Sequence, residues 1–134
     1  MSYNILKISE ATSLGIHSLV VLAQNPSKLI SVKEISEVLC VSANHLSKVM
    51  QRLNKAGYID SIKGFNGGFK LTCKPEKTTI LEVYELFEGK LDSPKCLLNR
   101  EGCIIEECML GGFISSINKQ VKTKFEETKI SDLT

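Results

Sequence analysis

The sequence, 134 residues long, predicts a mainly α protein: a winged helix-turn-helix with a two-stranded wing and a long C-terminal dimerisation helix. Three observations point there. Two helical patterns are separated by about three residues and must turn sharply against each other. A glycine-rich hairpin follows at once. The chain then closes on a long amphipathic helix that so small a body has little core left to cover.

The elements follow in order. Ser9 to Gln24 carries Ile16, Leu19, Val20 and Ala23 on one stripe. Asn25-Pro26 ends this first helix, because the residue before proline is pushed out of the helical region. Ser31-Val-Lys-Glu34 has the form of a capping box, in which the serine oxygen accepts from the Glu34 N–H and the Glu34 carboxylate reaches back. The second helix runs from there to about Leu39. Cys40, at its end among apolar neighbours, reads as a small buried filler, and Cys73 at the end of the wing as incidental. Ser42 is placed to cap a third helix over Ala43 to Ala56. There Leu46, Val49, Met50 and Leu53 follow helical spacing, and Gly57 stands where a left-handed cap belongs.

Tyr58 to Ile62 and Phe69 to Thr72 read as strands. The link Lys63-Gly-Phe-Asn-Gly-Gly68 supplies residues that tolerate positive φ in a tight reversal. Thr79-Ile-Leu-Glu82 is a second capping box, and Gly89 stops the fourth helix. Lys90 to Cys108 contains Pro94, Gly102 and three cysteines and reads as a loop. The last helix, Met109 to Thr128, places Leu110, Phe113, Ile114, Ile117, Val121 and Phe125 on one stripe, with Gly111-Gly112 costing about 1 kcal/mol each against alanine. The expected division is therefore 1–89 for the winged body, 90–108 for the cysteine loop, and 109–134 for the dimerisation helix and tail.

Composition narrows the function. The longest apolar run is Leu19 to Ala23, where a membrane crossing needs about 20 residues, and the first residues lack an apolar core of secretory length. A cytoplasmic protein with no membrane partner is expected. Three of the five cysteines fall between positions 96 and 108. That clustering favours metal or redox chemistry over a spread disulfide scaffold. The net charge of +2 hides a block, residues 42 to 74, with six basic side chains against one acidic, Asp60, and an acidic C-terminal part. A nucleic-acid contact surface commonly has this appearance.

With its apolar stripe turned inward, the third helix shows Asn44, His45, Ser47, Lys48, Gln51, Arg52 and Lys55. Gln and Asn pair with adenine edges; Arg and Lys pair with guanine edges or phosphates. The start of a recognition helix meets base edges, so Ser42, Asn44, His45 and Lys48 are the stronger candidates for readout and Gln51 and Arg52 the weaker. Lys63, Asn66, Gly67 and Lys70 are the candidate wing contacts. A lone polar helix face is ordinarily just solvated; the tight two-helix unit, the basic wing and the shortage of acids argue for double-stranded DNA. His45 stays open between contacting DNA and covering the N-terminal turn.

Cys96-x6-Cys103-x4-Cys108 offers three thiolates within thirteen residues. An iron-sulfur centre, or zinc with an added imidazole, would accept that set, and a disulfide switch or inert thiols are the other readings.

The run Val41-Ser-Ala-Asn-His-Leu-Ser-Lys-Val-Met-Gln-Arg-Leu-Asn-Lys-Ala-Gly-Tyr-Ile59, followed by Ile62-Lys-Gly-Phe-Asn-Gly-Gly-Phe-Lys-Leu71, resembles the Rrf-two family of bacterial winged-helix regulators, whose branches include IscR, NsrR and CymR. Members usually have arginine where this chain has Lys63, a swap that keeps charge and gives up bidentate geometry. The likeness extends from Ile8-Ser9 to Lys129-Ile-Ser-Asp-Leu133. It implies a homodimer, paired through the last helix, that acts on an operator. It also implies an iron-sulfur cluster, 2Fe-2S or 4Fe-4S, on Cys96, Cys103 and Cys108.

In one branch a histidine three residues after the third cysteine completes the site. Here that position is Gly111. In another an acidic residue of the first helix reaches over from the partner subunit, and the matching position is Ser13, with Glu10 one turn earlier and His17 one turn later on the same face. His17 or Glu10 is the candidate fourth metal ligand; otherwise His17 packs in the dimer core and water or a small ligand completes the site. The expected function is a DNA-binding repressor controlled by a cluster or by cysteine redox state, with nitric oxide or oxidative stress as the signal. A cluster-free thiol- or ligand-responsive regulator is the alternative. An electron carrier or metalloenzyme is disfavoured, since only Glu101, Glu106 and Glu107 stand near the cysteines as acid-base groups.

Overall fold

The helices begin where side chains satisfy their unpaired N–H groups. In the computed structural model, which describes residues 8–91 and 109–134, α1 (Glu10–Gln24) is capped by Ser9, whose hydroxyl accepts from the Thr12 N–H at 3.2 Å. Ser31 does the same for α2 (Val32–Leu39), accepting from the Glu34 N–H at 3.2 Å. The reciprocal half of that predicted box is replaced: the Glu34 carboxylate lies 3.9 Å from the Lys28 ammonium instead. The box on α4 (Ile80–Glu88) forms in both directions between Thr79 and Glu82. Ser42 does precede α3 (Ala43–Lys55), but its side chain makes no bond to the first turn.

The end of α3 is as expected. Gly57 takes φ of 86°, its N–H reaches the Asn54 carbonyl at 3.1 Å, and the Tyr58 N–H reaches the Leu53 carbonyl at 3.0 Å. Between α2 and α3 the turn is made by Cys40, at φ 55° and ψ 47°, with the Val41 N–H bonded to the Ser36 carbonyl at 3.0 Å. That corrects the expectation of a buried filler. The left-handed residue swings its side chain out of the helix pair, and Cys40 is exposed in a conformation that glycine adopts at less cost.

The wing pairs β1 (Ile59–Ile62) with β2 (Gly68–Leu71) antiparallel, Ile59 opposite Leu71 and Ile62 opposite Gly68. Both strands lie within a residue of their predicted bounds. Ile30 adds an isolated antiparallel bridge to β2: its N–H meets the Phe69 carbonyl at 3.1 Å, and the Phe69 N–H meets the Ile30 carbonyl at 2.8 Å. This explains the glycines differently from the expected positive φ, which Gly64 alone adopts in the link, at 122°. A Cβ on Gly68 would lie 2.9 Å from the Ile30 backbone, and one on Gly67 would collide with the Ile62 carbonyl oxygen.

The core joins Leu14, Leu19 and Leu22 of α1 to Ile35 of α2, to Leu46, Val49, Met50 and Leu53 of α3, and to Ile80 and Val83 of α4. Each such aliphatic side chain is worth about 1.5–3 kcal/mol of burial. Ile130, fully buried, also belongs to it. The sequence reading missed this. After α5 (Met109–Glu127) the chain returns in a 3-10 turn, Ile130–Leu133. Backbone bonds run from the Ile80 N–H to the Thr128 carbonyl and from the Ile130 N–H to the Thr78 carbonyl, each 2.9 Å. Phe125, the last residue of the predicted α5 stripe, therefore packs on Tyr84 of α4 with the rings tilted 57° and their centroids 5.6 Å apart, within its own chain. Leu110 and Phe113 at the other end of that stripe stay exposed. Among the described residues no helix is long and apolar enough to cross a membrane.

Gly68→Ala is expected to lower stability by about 1–3 kcal/mol, because its methyl meets backbone rather than a movable side chain. A thermal melt read by circular dichroism checks this; an unchanged midpoint would remove the close-approach explanation.

Candidate nucleic-acid interface

Because Leu46, Val49, Met50 and Leu53 are all buried, the rotation of α3 about its axis is set, and its other face must point outward. Ser42, Asn44, His45, Lys48, Gln51, Arg52 and Lys55 are exposed, while Ser47 is half-buried. No acidic side chain occurs in the helix. On the wing, Lys63, Asn66 and Lys70 are exposed and Gly67 is half-buried. Asp60 lies directly across the strand pair from Lys70, so the single acid of the basic block is offset by a facing cation.

Within that face the side chains divide. His45, Lys48 and Arg52 line one side of a groove of about 280 Å³ whose apolar floor is Ala11, Val49 and Phe87. The Arg52 guanidinium lies over the Phe87 ring, 5.5 Å from its centroid, a contact worth about 0.5–1 kcal/mol at an exposed site. Arg52 thus leans toward α4, away from the start of α3.

Phe87 in turn needs Gly15. A Cβ there would stand 2.5 Å from the Phe87 ring, so the bare backbone of α1 admits the aromatic edge. The next residue, Glu88, is held to the start of α1: its Oε1 accepts from the Ser9 N–H at 2.9 Å and from the buried Thr12 hydroxyl at 2.7 Å. These hydrogen bonds hold the Glu88 carboxyl below the usual glutamate range. The last turn of α4, just before Gly89 and the cysteine segment, is consequently tied to α3 through Phe87 and to α1 through Glu88. Sequence reading found neither tie. An isolated glycine inside an apolar helix was the available signal for the first.

Cys96, Cys103 and Cys108 lie outside the described residues. Glu10 and His17 are described and both are exposed on α1. Seven residues separate them along about 10 Å of helix axis, so one chain can offer one or the other to a single iron. The His17 Nδ1 is 2.6 Å from the Ser13 carbonyl oxygen. An Nδ1–H donating there leaves the Nε2 lone pair directed outward, the arrangement metal-binding histidines use. Among the described residues no group of three His, Cys, Asp or Glu side chains converges.

Residues 8–134 match the family model described as Rrf2, iron-dependent transcriptional regulator. The transcriptional regulator NsrR of Shouchella clausii is 35% identical over 132 residues, covering 96% of this chain and 88% of that protein. Among solved structures, CymR, the global cysteine regulator of B. subtilis, superposes with a TM-score of 0.81 at 28% identity, covering 96% of each chain. T. potens IscR superposes at 0.76 with 21% identity over 96% of this chain and 86% of that one, a likeness of fold.

The Glu88 bonds have a pH signature. A carboxyl whose folded value is depressed adds stability above the ordinary value, here 4.5, and loses it as pH falls through the lower folded value. Glu88→Gln is expected to melt below the wild type at neutral pH, the gap closing as pH falls under 4.5. A gap that does not vary with pH contradicts the two bonds.

Proposed function

The chain belongs to the Rrf2 family of transcriptional regulators, and from that premise we propose that it binds a palindromic DNA operator as a homodimer, with operator affinity set by an iron-sulfur centre or by the redox state of Cys96, Cys103 and Cys108. Its relatives are regulators of transcription, not enzymes. The observation that carries the proposal is the outward face of α3: a polar, acid-free surface beside a basic wing, on a helix whose other face is wholly committed to the core. The start of α3, with Ser42, Asn44, His45 and Lys48, enters the major groove. Gln51 and Arg52 lie toward its edge, and Lys63, Asn66, Gly67 and Lys70 bring the wing to the neighbouring groove.

Pairing along α5 is favoured by Leu110 and Phe113, which its own chain leaves exposed. Two copies set the recognition helices about one DNA turn apart.

The three cysteines, with the partner's His17 or the partner's Glu10, would hold the iron-sulfur centre. Bound there, that group supplies chemistry sensitive to oxidants and nitric oxide. The outward Nε2 of His17 fits such a ligand. What this chain's own residues do is carry the state of the cysteine segment inward. A shift at Gly89 pulls on Glu88 and Phe87, hence on the start of α1 and on Arg52 of α3. A coupling of about 1–3 kcal/mol, five- to 150-fold in affinity, is enough for a switch.

The similarity to CymR supports a second reading, a regulator without a cluster that responds to thiol oxidation or a small ligand. Anaerobic reconstitution with iron and sulfide separates the two: the first reading expects visible absorbance and bound iron, and colourless, iron-free protein eliminates it. Genomic fragments selected by the protein in both states then give the operator. On that duplex, Lys48→Ala is expected to weaken binding and to flatten the slope of log affinity against log salt by about 0.9. Failure of every form to enrich any duplex would sink both readings.

A further inference from the structure

Phe65 is the outlier of the wing. Its relative exposure is 103%, so no part of its own chain covers the ring. The turn that presents it is built without it. The Gly67 N–H closes onto the Gly64 carbonyl at 3.0 Å, leaving Phe65 and Asn66 as the central pair. Gly64 supplies the positive φ. Gly67 is wedged against the Ile62 carbonyl. Nothing in the backbone asks for an aromatic side chain at this point, and a large ring left in water forgoes the burial that ordinarily stabilises it.

We propose that Phe65 is a minor-groove wedge, inserted at a base step flanking the major-groove site of α3; this rests on the DNA-binding reading above. Its neighbours select that occupant. Lys63, two residues before Phe65, and Asn66, one after it, are exposed, Lys70 follows on β2, and the single acid of the basic block, Asp60, faces Lys70 across the strands. A cationic rim around one apolar tip complements a phosphate-lined groove. An apolar protein surface would gain nothing from that rim. Apolar side chains inserted from the minor groove partly unstack a base step and bend the duplex. Pyrimidine–purine steps yield most easily, so Phe65 reads the flank through deformability, at a position where no hydrogen bond is made to a base. Asn66 beside it faces the acceptors of A·T pairs.

The test uses the full-length protein on its own selected duplex. Phe65→Ala is expected to keep the wild-type melt, since the ring touches nothing, and to lose about tenfold in affinity with an unchanged salt slope. Phe65→Leu, still apolar, recovers most of the loss. Phe65→Lys does not, although it steepens the salt slope. 2-Aminopurine at the flanking step brightens when wild type binds and stays dim with Phe65→Ala. Equal affinity of Phe65→Ala and wild type overturns the wedge alone and leaves the operator reading standing. So does recovery by Phe65→Lys, which would make the position an electrostatic contact. A change in oligomeric state with Phe65→Ala assigns the ring to a second copy instead. Absence of duplex binding by wild type overturns the wedge together with the reading beneath it.

Discussion

The burial of one side of α3 is the constraint on which the rest depends. Leu46, Met50 and Leu53 have no exposed surface and Val49 almost none, so the helix cannot roll without opening the core. A roll that exposed even one of these leucines would cost more than any contact on the polar face returns. The polar face is thereby presented as a fixed template. The Tyr58 N–H bond to the Leu53 carbonyl then sends the chain straight from α3 into the wing, with three residues between the end of α3 and the start of β1.

α3 is not isolated from the segment carrying the cysteines. The last turn of α4 leads into that segment, and two successive residues bind it elsewhere: Phe87 under Arg52, and Glu88 on Ser9 and Thr12. The returning tail pins the other end of α4, through the Ile80 and Ile130 backbone bonds. A helix held at both ends transmits displacement instead of absorbing it. Under the proposed regulation, these two attachments are what would shift between arrangements.

Much of the fold was legible because it is locally encoded. The Thr79 box, the stop at Gly57 and the inward stripe of α3 are each decided by residues within a turn or two of one another, and each stands where sequence spacing placed it. What escaped is not named by helical or strand spacing. Glu34 left its box for Lys28, Cys40 turned outward because a left-handed junction joins α2 to α3, and Ile130 found a place in a core whose other members run from Leu14 to Val83. The glycines of the wing were recognised as necessary but for the wrong cause. Conformational freedom matters at Gly64; at Gly67 and Gly68 the space itself is taken. Which side chains of α3 lie outward was legible nearly residue by residue, since amphipathic spacing divides inside from outside. The contacts beneath them, Arg52 on Phe87 and Phe87 on Gly15, were not, because periodicity names a face and no partner.

Hydrogen–deuterium exchange on the protein with and without its selected duplex tests the central claim most directly. The account predicts that binding slows exchange along Ser42 to Arg52 and Lys63 to Lys70, leaving the outer face of α2 near Val38 unchanged. Protection confined to other elements, with the amides of α3 and the wing exchanging as in the free protein, would contradict it.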